Sequence, residues 1–257
     1  MNEPIRLIVF GAAGRMGQAV LRIASENSGF EVAVAVVRER KDDAGNAVAA
    51  NYATVVDAGT GADAVLDFSG TAGFNAALDL AVQRRLPLVS GSTGLSDAQQ
   101  AAMAAAASKI PVLWAANFSL GVAVLAHLAA QAASLLPDWD CEIIEAHHRL
   151  KTDAPSGTAL TLGERVNASR GRPNDPARID RSGKRAPGAI GYSVSRAGDI
   201  IGEHEVRLAG SGERLELIHR AGDRDLFARG ALAGARWIVG KPAGLHQVGD
   251  VLGLARR

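Results

Sequence analysis

Apolar residues come in short blocks whose period changes along the chain. Ile5-Arg6-Leu7-Ile8-Val9-Phe10 is a β-rich run of the kind buried on both faces of a parallel sheet. Gly11-Ala12-Ala13-Gly14-Arg15-Met16-Gly17 follows at once, and a helical pattern then continues to about Asn27. Glu31 to Val37 predicts a second strand, ending in Arg38-Glu39-Arg40-Lys41. The alternation goes on with a strand over 63–68, a helix over 72–84 and a strand over 86–90. A helix to Lys109 opens on Ser96-Asp97-Ala98-Gln99, a capping box. A strand over 111–115 then leads into Ala116-Asn117-Phe118-Ser119. Strands alternating with helices predict an α/β fold with a doubly wound parallel sheet.

From Leu120 the rhythm changes. A long apolar helix to Leu136 precedes a strand at Cys141 to Glu145, and a helix runs from Ala159 to about Arg170. After a polar loop over 171–187 come strand-like runs at 190–196, 203–208 and 213–219. Ala197-Gly198-Asp199 and Gly210-Ser211-Gly212 punctuate them as turns, which predicts an antiparallel second domain of α+β type. A helical pattern returns over 223–239.

Charge narrows the partners. Lys+Arg 28 against Asp+Glu 27 leaves +1, no electrostatic case for nucleic acid or a membrane surface. Hydrophobic residues at 47% with charged residues at 21% describe an ordinary globular chain. Cys141 is the only cysteine, so no internal disulfide can form and a reducing compartment is expected. The amino terminus carries no charged-then-apolar leader, and the apolar stretch over 121–136 is short for a bilayer. A cytoplasmic protein without a metal site is the expectation.

Two stretches carry chemistry. Gly11-x-x-Gly14-x-x-Gly17 between a strand and a helix is a variant of the dinucleotide fingerprint, although a plain glycine turn has the same spacing. Ligands of such sheets lie off the carboxyl ends of the strands, where Gly91-Ser92-Thr93 and Ala115 to Phe118 belong. The basic cluster at Arg38 suits a ribose 2′-phosphate, with Glu39 as a competing acid.

The second stretch is Glu145-Ala146-His147-His148-Arg149-Leu150-Lys151-Thr152-Asp153-Ala154-Pro155-Ser156-Gly157-Thr158-Ala159. Histidine and lysine donate protons near working pH when their surroundings are tuned. Pro155 pre-sets a first helical turn, and free N–H groups at Ser156, Gly157 and Thr158 favour an anion. Singly, each part also reads as packing, capping or a solvated charge. Together they describe proton donors beside a cradle for a carboxylate or phosphate.

These motifs, with Ser90-Gly91-Ser92-Thr93-Gly94, Arg196-Ala197-Gly198-Asp199-Ile200-Ile201-Gly202-Glu203-His204 and Phe227-Ala228-Arg229-Gly230-Ala231-Leu232, span nearly the whole chain. The chain thereby resembles the 4-hydroxy-tetrahydrodipicolinate (dihydrodipicolinate) reductase family. The resemblance implies a dinucleotide-binding domain over 1–118 completed by 228–257, and a substrate-binding and tetramerisation domain over 119–227. It implies that Gly11, Ala12, Ala13, Gly14, Arg15, Met16, Arg38, Gly91, Ser92, Thr93, Ala115, Ala116, Asn117 and Phe118 hold NAD(P)H. His147 matches the family's proton donor, Lys151 its partner acid, and His148, Gly157 and Thr158 its groups for a small dicarboxylate substrate. Members that use NADH well often carry an acid where this chain has Val37, so NADPH is the preferred cofactor and NADH the lesser one. The implied reaction is reduction of the dehydrated, conjugated imine in lysine and diaminopimelate biosynthesis, by a homotetramer. Two alternatives keep the glycine turn: a catalytically silent dinucleotide sensor, and another NAD(P)-dependent dehydrogenase. The second would show a nucleophilic cysteine in a motif or a different acid constellation, whereas Cys141 falls in a strand and reads as packing.

Overall fold

The computed structural model describes residues 3–37, 40–41, 47–48, 61–173, 182–185 and 188–254. Its chain divides into Met1–Ser119 with Asp225–Gly253, and Leu120–Arg224 with Leu254–Arg257.

The first unit is a parallel sheet covered by helices. Strands β1 (Ile5–Phe10), β2 (Phe30–Val36), β5 (Ala64–Asp67), β6 (Leu88–Ser90), β7 (Pro111–Trp114) and β12 (Gly244–His246) lie in the order β12-β7-β6-β5-β1-β2. All five pairings are parallel. β3 (Arg40–Lys41) and β4 (Ala47–Val48) form a separate antiparallel ribbon. Leu7, Ile8, Val9, Val65, Leu66, Leu88, Val89, Val112 and Leu113 have no exposed surface, as runs apolar on both faces require. Helices α1 (Arg15–Ser25), α2 (Gly70–Arg84) and α3 (Asp97–Ala107) are the crossovers. The capping box at Ser96 and Gln99 is present. The short strand β12, which has no periodic signal of its own, joins the edge beside β7.

The second unit is a four-stranded sheet backed by two helices. Its strands β8 (Asp140–His147), β9 (Ile190–Arg196), β10 (Glu203–Ala209) and β11 (Arg214–Arg220) lie in the order β11-β10-β8-β9. The sheet is mixed, which corrects the antiparallel expectation. β8 and β9 run parallel because α5 (Gly157–Ser169) lies between them as a crossover, and β10 skips past β9 to pair with β8. The turn after Arg196 therefore joins strands that are not neighbours. Cys141, Ile143, Leu162, Val166, Tyr192, Val206 and Leu208 form the core with Leu125 and Ala129 of α4 (Leu120–Leu135). The remaining helices among the described residues are α6 (Asp225–Ile238) and α7 (Val248–Val251), both in the first unit.

Candidate active site

In the first unit the glycine turn is built for close approach. Gly11 sits at φ +76, and a Cβ there would lie 2.4 Å from the Phe68 carbonyl oxygen. A Cβ on Gly17 would lie 2.2 Å from the Gly11 carbonyl oxygen, so α1 can rest directly on the turn only with glycine at that position. Gly14 is the N-cap of α1 and offers no side-chain cap; no acid occupies the first turn. Backbone N–H groups at such a helix start favour an anion. Ala13, Gly14 and Arg15 are exposed, Met16 is half-buried and Ala12 faces the core.

The strand ends beside this turn are tied together by Asp67. The register sets Phe10 opposite Asp67, Asp67 opposite Ser90, and Ser90 opposite Trp114. Asp67 is fully buried. Its Oδ1 accepts from the Ser69 N–H at 3.0 Å and the Ser69 hydroxyl at 2.5 Å. Its Oδ2 accepts from the hydroxyls of Ser90 and Ser92, each at 2.7 Å. The Ser92 hydroxyl also accepts from the Gly70 N–H at 2.9 Å, and the Ser92 carbonyl accepts from the Trp114 indole at 2.9 Å. So Ser92 turns inward and shapes its loop, while Thr93 is exposed.

Gly91 leaves room for Phe68, whose ring stacks edge-to-face on Phe118 at 5.8 Å. Ala115 donates its N–H to Ser90, and the Asn117 side chain accepts from the Ser119 N–H at 2.8 Å. Gly230 explains the Phe227–Leu232 motif: a Cβ there would meet the Phe118 carbonyl oxygen at 1.8 Å. Arg38, with the Arg38–Lys41 basic cluster as a phosphate-side site, lies outside the residues whose side chains are described.

In the second unit, β8 alternates so that Cys141, Ile143, Glu145 and His147 face the helices. Glu145 is 1% exposed. His147 Nδ1 donates to Glu145 Oε2 at 2.5 Å. Arg196, paired with His147 on β9, forks onto both oxygens of Glu145 at 2.9 and 2.8 Å. The Ser156 N–H donates to Glu145 Oε1 at 3.0 Å. Burial alone pushes this carboxyl up, but the bonds from His147, Arg196 and Ser156 outweigh it and hold the group down at about 2.

His204, opposite Glu145 on β10, shares a 3.2 Å hydrogen bond with the Ser156 hydroxyl and packs edge-on against His147 at 5.1 Å. Burial first, then the neighbouring His147, brings His204 down to about 4, so it is neutral at physiological pH. Gly202 sits beside the far edge of the His147 ring, where a Cβ would lie 3.1 Å from Nε2.

The helix start differs from the sequence expectation in two ways. α5 begins at Gly157 with Ser156 as N-cap, so Pro155 precedes the cap and is not in the first turn. Ser156 also spends its N–H on Glu145, which makes the anion there the protein's own. Its hydroxyl caps the helix by accepting from Ala159 N at 3.2 Å. Gly157 is exposed and Thr158 half-buried at the helix start, with His148 half-buried just after β8. Lys151 Nζ donates to Asp153 Oδ1 at 2.7 Å, and that bond holds the Asp153 carboxyl below its ordinary range. Arg196 reaches the Asp153 carbonyl at 2.6 Å, tying this loop to Glu145. The sequence alone assigns no role to Glu145, Asp67, Arg196 or His204. Cys141 is a buried packing thiol, pushed up to about 11 by desolvation.

A glycine turn at the first strand–helix junction of a parallel sheet, joined to a second unit bearing a histidine–carboxylate pair, defines a dinucleotide-dependent oxidoreductase. The family follows from two sequence models. Residues 5–118 match the dihydrodipicolinate reductase N-terminus and residues 121–252 its C-terminus, and the chain belongs to this family. It is 48% identical over 252 residues to a 4-hydroxy-tetrahydrodipicolinate reductase of Xanthomonas campestris pv. campestris (strain B100), covering 98% of this chain and 99% of the relative. The corresponding Xylella fastidiosa (strain 9a5c) protein is 45% identical, covering 98% and 100%. Among solved structures, a dipicolinate-bound dihydrodipicolinate reductase from Paenisporosarcina sp. TG-14 superposes with TM-score 0.78 at 25% identity, covering 95% of this chain and 97% of that one.

Proposed function

We propose that the chain reduces 4-hydroxy-tetrahydrodipicolinate, as its dehydrated conjugated imine, to tetrahydrodipicolinate with NADPH as the preferred donor. The observation that carries the site reading is His147, held through Nδ1 by a buried carboxylate, with Nε2 on the opposite edge of the ring. The glycine turn fits a dinucleotide, since Gly11 and Gly17 let α1 start directly on it and neither a side-chain cap nor a first-turn acid covers the helix start. Gly11, Ala12, Ala13, Gly14, Arg15 and Met16, with Gly91 to Thr93 and Ala115 to Phe118, would hold the cofactor. When bound, the nicotinamide supplies hydride.

The remaining work belongs to the second unit. His148, Gly157 and Thr158 bind the dicarboxylate, the last two through backbone and hydroxyl donors at a helix start. Lys151 sets a positive charge against the substrate's carboxylates. Hydride addition leaves electron density on the ring, and His147 quenches it with the proton on Nε2; a positioned acid contributes about 10²–10⁴-fold. Orientation and proton supply are the protein's part in cofactor chemistry.

The same reading assigns cofactor binding to 1–118 with 228–257, substrate binding to 119–227, and a cytoplasmic location. The inert thiol of Cys141 suits such a compartment, and no helix among the described residues is long and apolar enough to cross a membrane. It also includes a homotetramer. The sheet face turned away from α4 and α5 exposes Ser193, Ser195, Ile218 and Arg220, and it carries a cavity of about 180 Å³ lined by Ile144, Glu205 and Ile218. A second copy would cover those apolar positions and edges. A monomeric mass by light scattering at micromolar concentration contradicts that part.

The reaction is tested by NAD(P)H oxidation with enzymatically generated substrate. Substrate-dependent turnover is expected; tight NAD(P)H binding without turnover leaves a dinucleotide sensor instead. Arg38→Ala tests the cofactor preference, because charge-assisted bonds to a 2′-phosphate contribute about 1.5–3 kcal/mol. Equal kcat/KM for NADH and NADPH in the unaltered chain contradicts it.

A further inference from the structure

We infer that Glu145, clamped by Arg196, is the positioning residue that fixes the protonation geometry of His147 and docks the anion-binding helix start to it. The inference rests on His147 being the proton donor. Three separate pieces of chain meet at this one carboxylate. His147 Nδ1 reaches Oε2 at 2.5 Å from two residues along the strand. Ser156 N, immediately before Gly157 and Thr158, reaches Oε1 at 3.0 Å. Arg196 takes both oxygens and extends to the Asp153 carbonyl at 2.6 Å, in the loop that bears Lys151.

The chemistry follows from the acceptor. An ionised carboxylate has no hydrogen to give, so Nδ1 must carry one in both protonation states of the ring. Nε2 is then the nitrogen that gains and loses the proton, and it faces Gly202, where a Cβ would crowd it at 3.1 Å. Glycine keeps that edge open. Arg196 holds the carboxylate ionised and in plane, because its fork matches both oxygens. The clamp also links acid and cradle: moving Glu145 would shift Ser156, whose hydroxyl caps α5 and meets His204. The neutral His204 packs against the His147 ring without adding a charge beside it.

Two conservative variants and one spectrum test this. Long-range nitrogen–proton NMR of His147 in the unaltered protein at alkaline pH should show the Nδ1–H tautomer. Glu145→Gln keeps the volume, but offers an amide N–H toward Nδ1 once its oxygen serves Arg196 and Ser156. That variant should switch the neutral ring to Nε2–H and lower kcat by about 10²- to 10⁴-fold. It also removes the negative charge beside the ring, so the alkaline limb of the kcat–pH profile should move. Arg196→Lys cannot fork, and should raise KM for the dicarboxylate by loosening the Asp153 and Ser156 segments.

Failure of the proton donor and failure of the positioning residue are distinguishable. Near-unaltered kcat in His147→Gln defeats the proton-donor reading beneath. If His147→Gln is impaired while Glu145→Gln keeps the kcat limb and the tautomer of the unaltered protein, the donor stands and the positioning role is overturned. Loss of thermal stability in Glu145→Gln without either change overturns that role as well.

Discussion

Each unit is organised around one buried carboxylate that accepts four hydrogen bonds, yet the donors differ. Asp67 takes all of its bonds from neutral groups, namely one backbone N–H and three serine hydroxyls. Glu145 takes two from a guanidinium, one from an imidazole and one from a backbone N–H. Neutral donors fix loop shape without bringing a second titratable group to the carboxylate. Asp67 accordingly knots the ends of β5, β6 and β7, where a dinucleotide sheet presents its ligand. Cationic donors couple shape to charge, because any change in ionisation of one partner is felt by the others. On the proposed function, one device would serve binding in the first unit and acid–base chemistry in the second.

Beyond the His147–Glu145 pair, the largest effect on turnover is expected at Lys151. Lys151→Ala should lower kcat by roughly 10²-fold, since a positive charge facing the electron density left on the ring by hydride addition matters most in the transition state. Steady-state kinetics with saturating NADPH would measure it, and an unchanged kcat would return Lys151 to the role of a surface pair with Asp153.

Acid stability comes next. Glu145 lies at about 2 against an ordinary 4.5, so its contribution is present above about pH 4.5 and is lost as pH falls toward 2. The full span corresponds to about 3 kcal/mol. Between about pH 5 and pH 3 the unaltered protein should lose about 2 kcal/mol more than Glu145→Gln in urea unfolding. Parallel losses would mean that the clamp does not hold the carboxylate down.

Asp67→Asn leaves serine hydroxyls short of acceptors, at about 1–3 kcal/mol. The NADPH dissociation constant should rise by roughly 5- to 150-fold while the pH dependence of kcat stays in place. A shifted pH limb in this variant would erase the distinction between the two carboxylates. The smallest effect is Thr158→Val, expected to raise KM for the dicarboxylate several-fold, in keeping with about 0.5–1.5 kcal/mol for one hydrogen bond. An unchanged KM would leave Thr158 outside the substrate's reach.

Much of this was legible in the sequence, for physical reasons. The strands of the parallel sheet announce themselves because both faces are buried, and Gly11 and Gly17 stand where any side chain collides. β12 was not legible, since Gly244-Leu245-His246 is too short to show a period. The mixed order of the second sheet was hidden because pairing of β8 with β10 joins residues far apart in the chain. The two carboxylates were missed for a shared reason. An acid in a strand reads as outward-facing until its partners are known, and Arg196 lies 51 residues from Glu145. One local signal was available: Cys141, Ile143, Glu145 and His147 share the inward parity of β8, which sets acid and imidazole side by side facing the core.

The central claim is that the first unit holds the cofactor while His147 in the second delivers the proton. The most direct measurement is NADPH dissociation constant and kcat together, for the unaltered chain and His147→Gln. The account predicts an unchanged dissociation constant with kcat lower by about 10²-fold or more. Near-unaltered kcat, or NADPH binding lost in step with turnover, would contradict it.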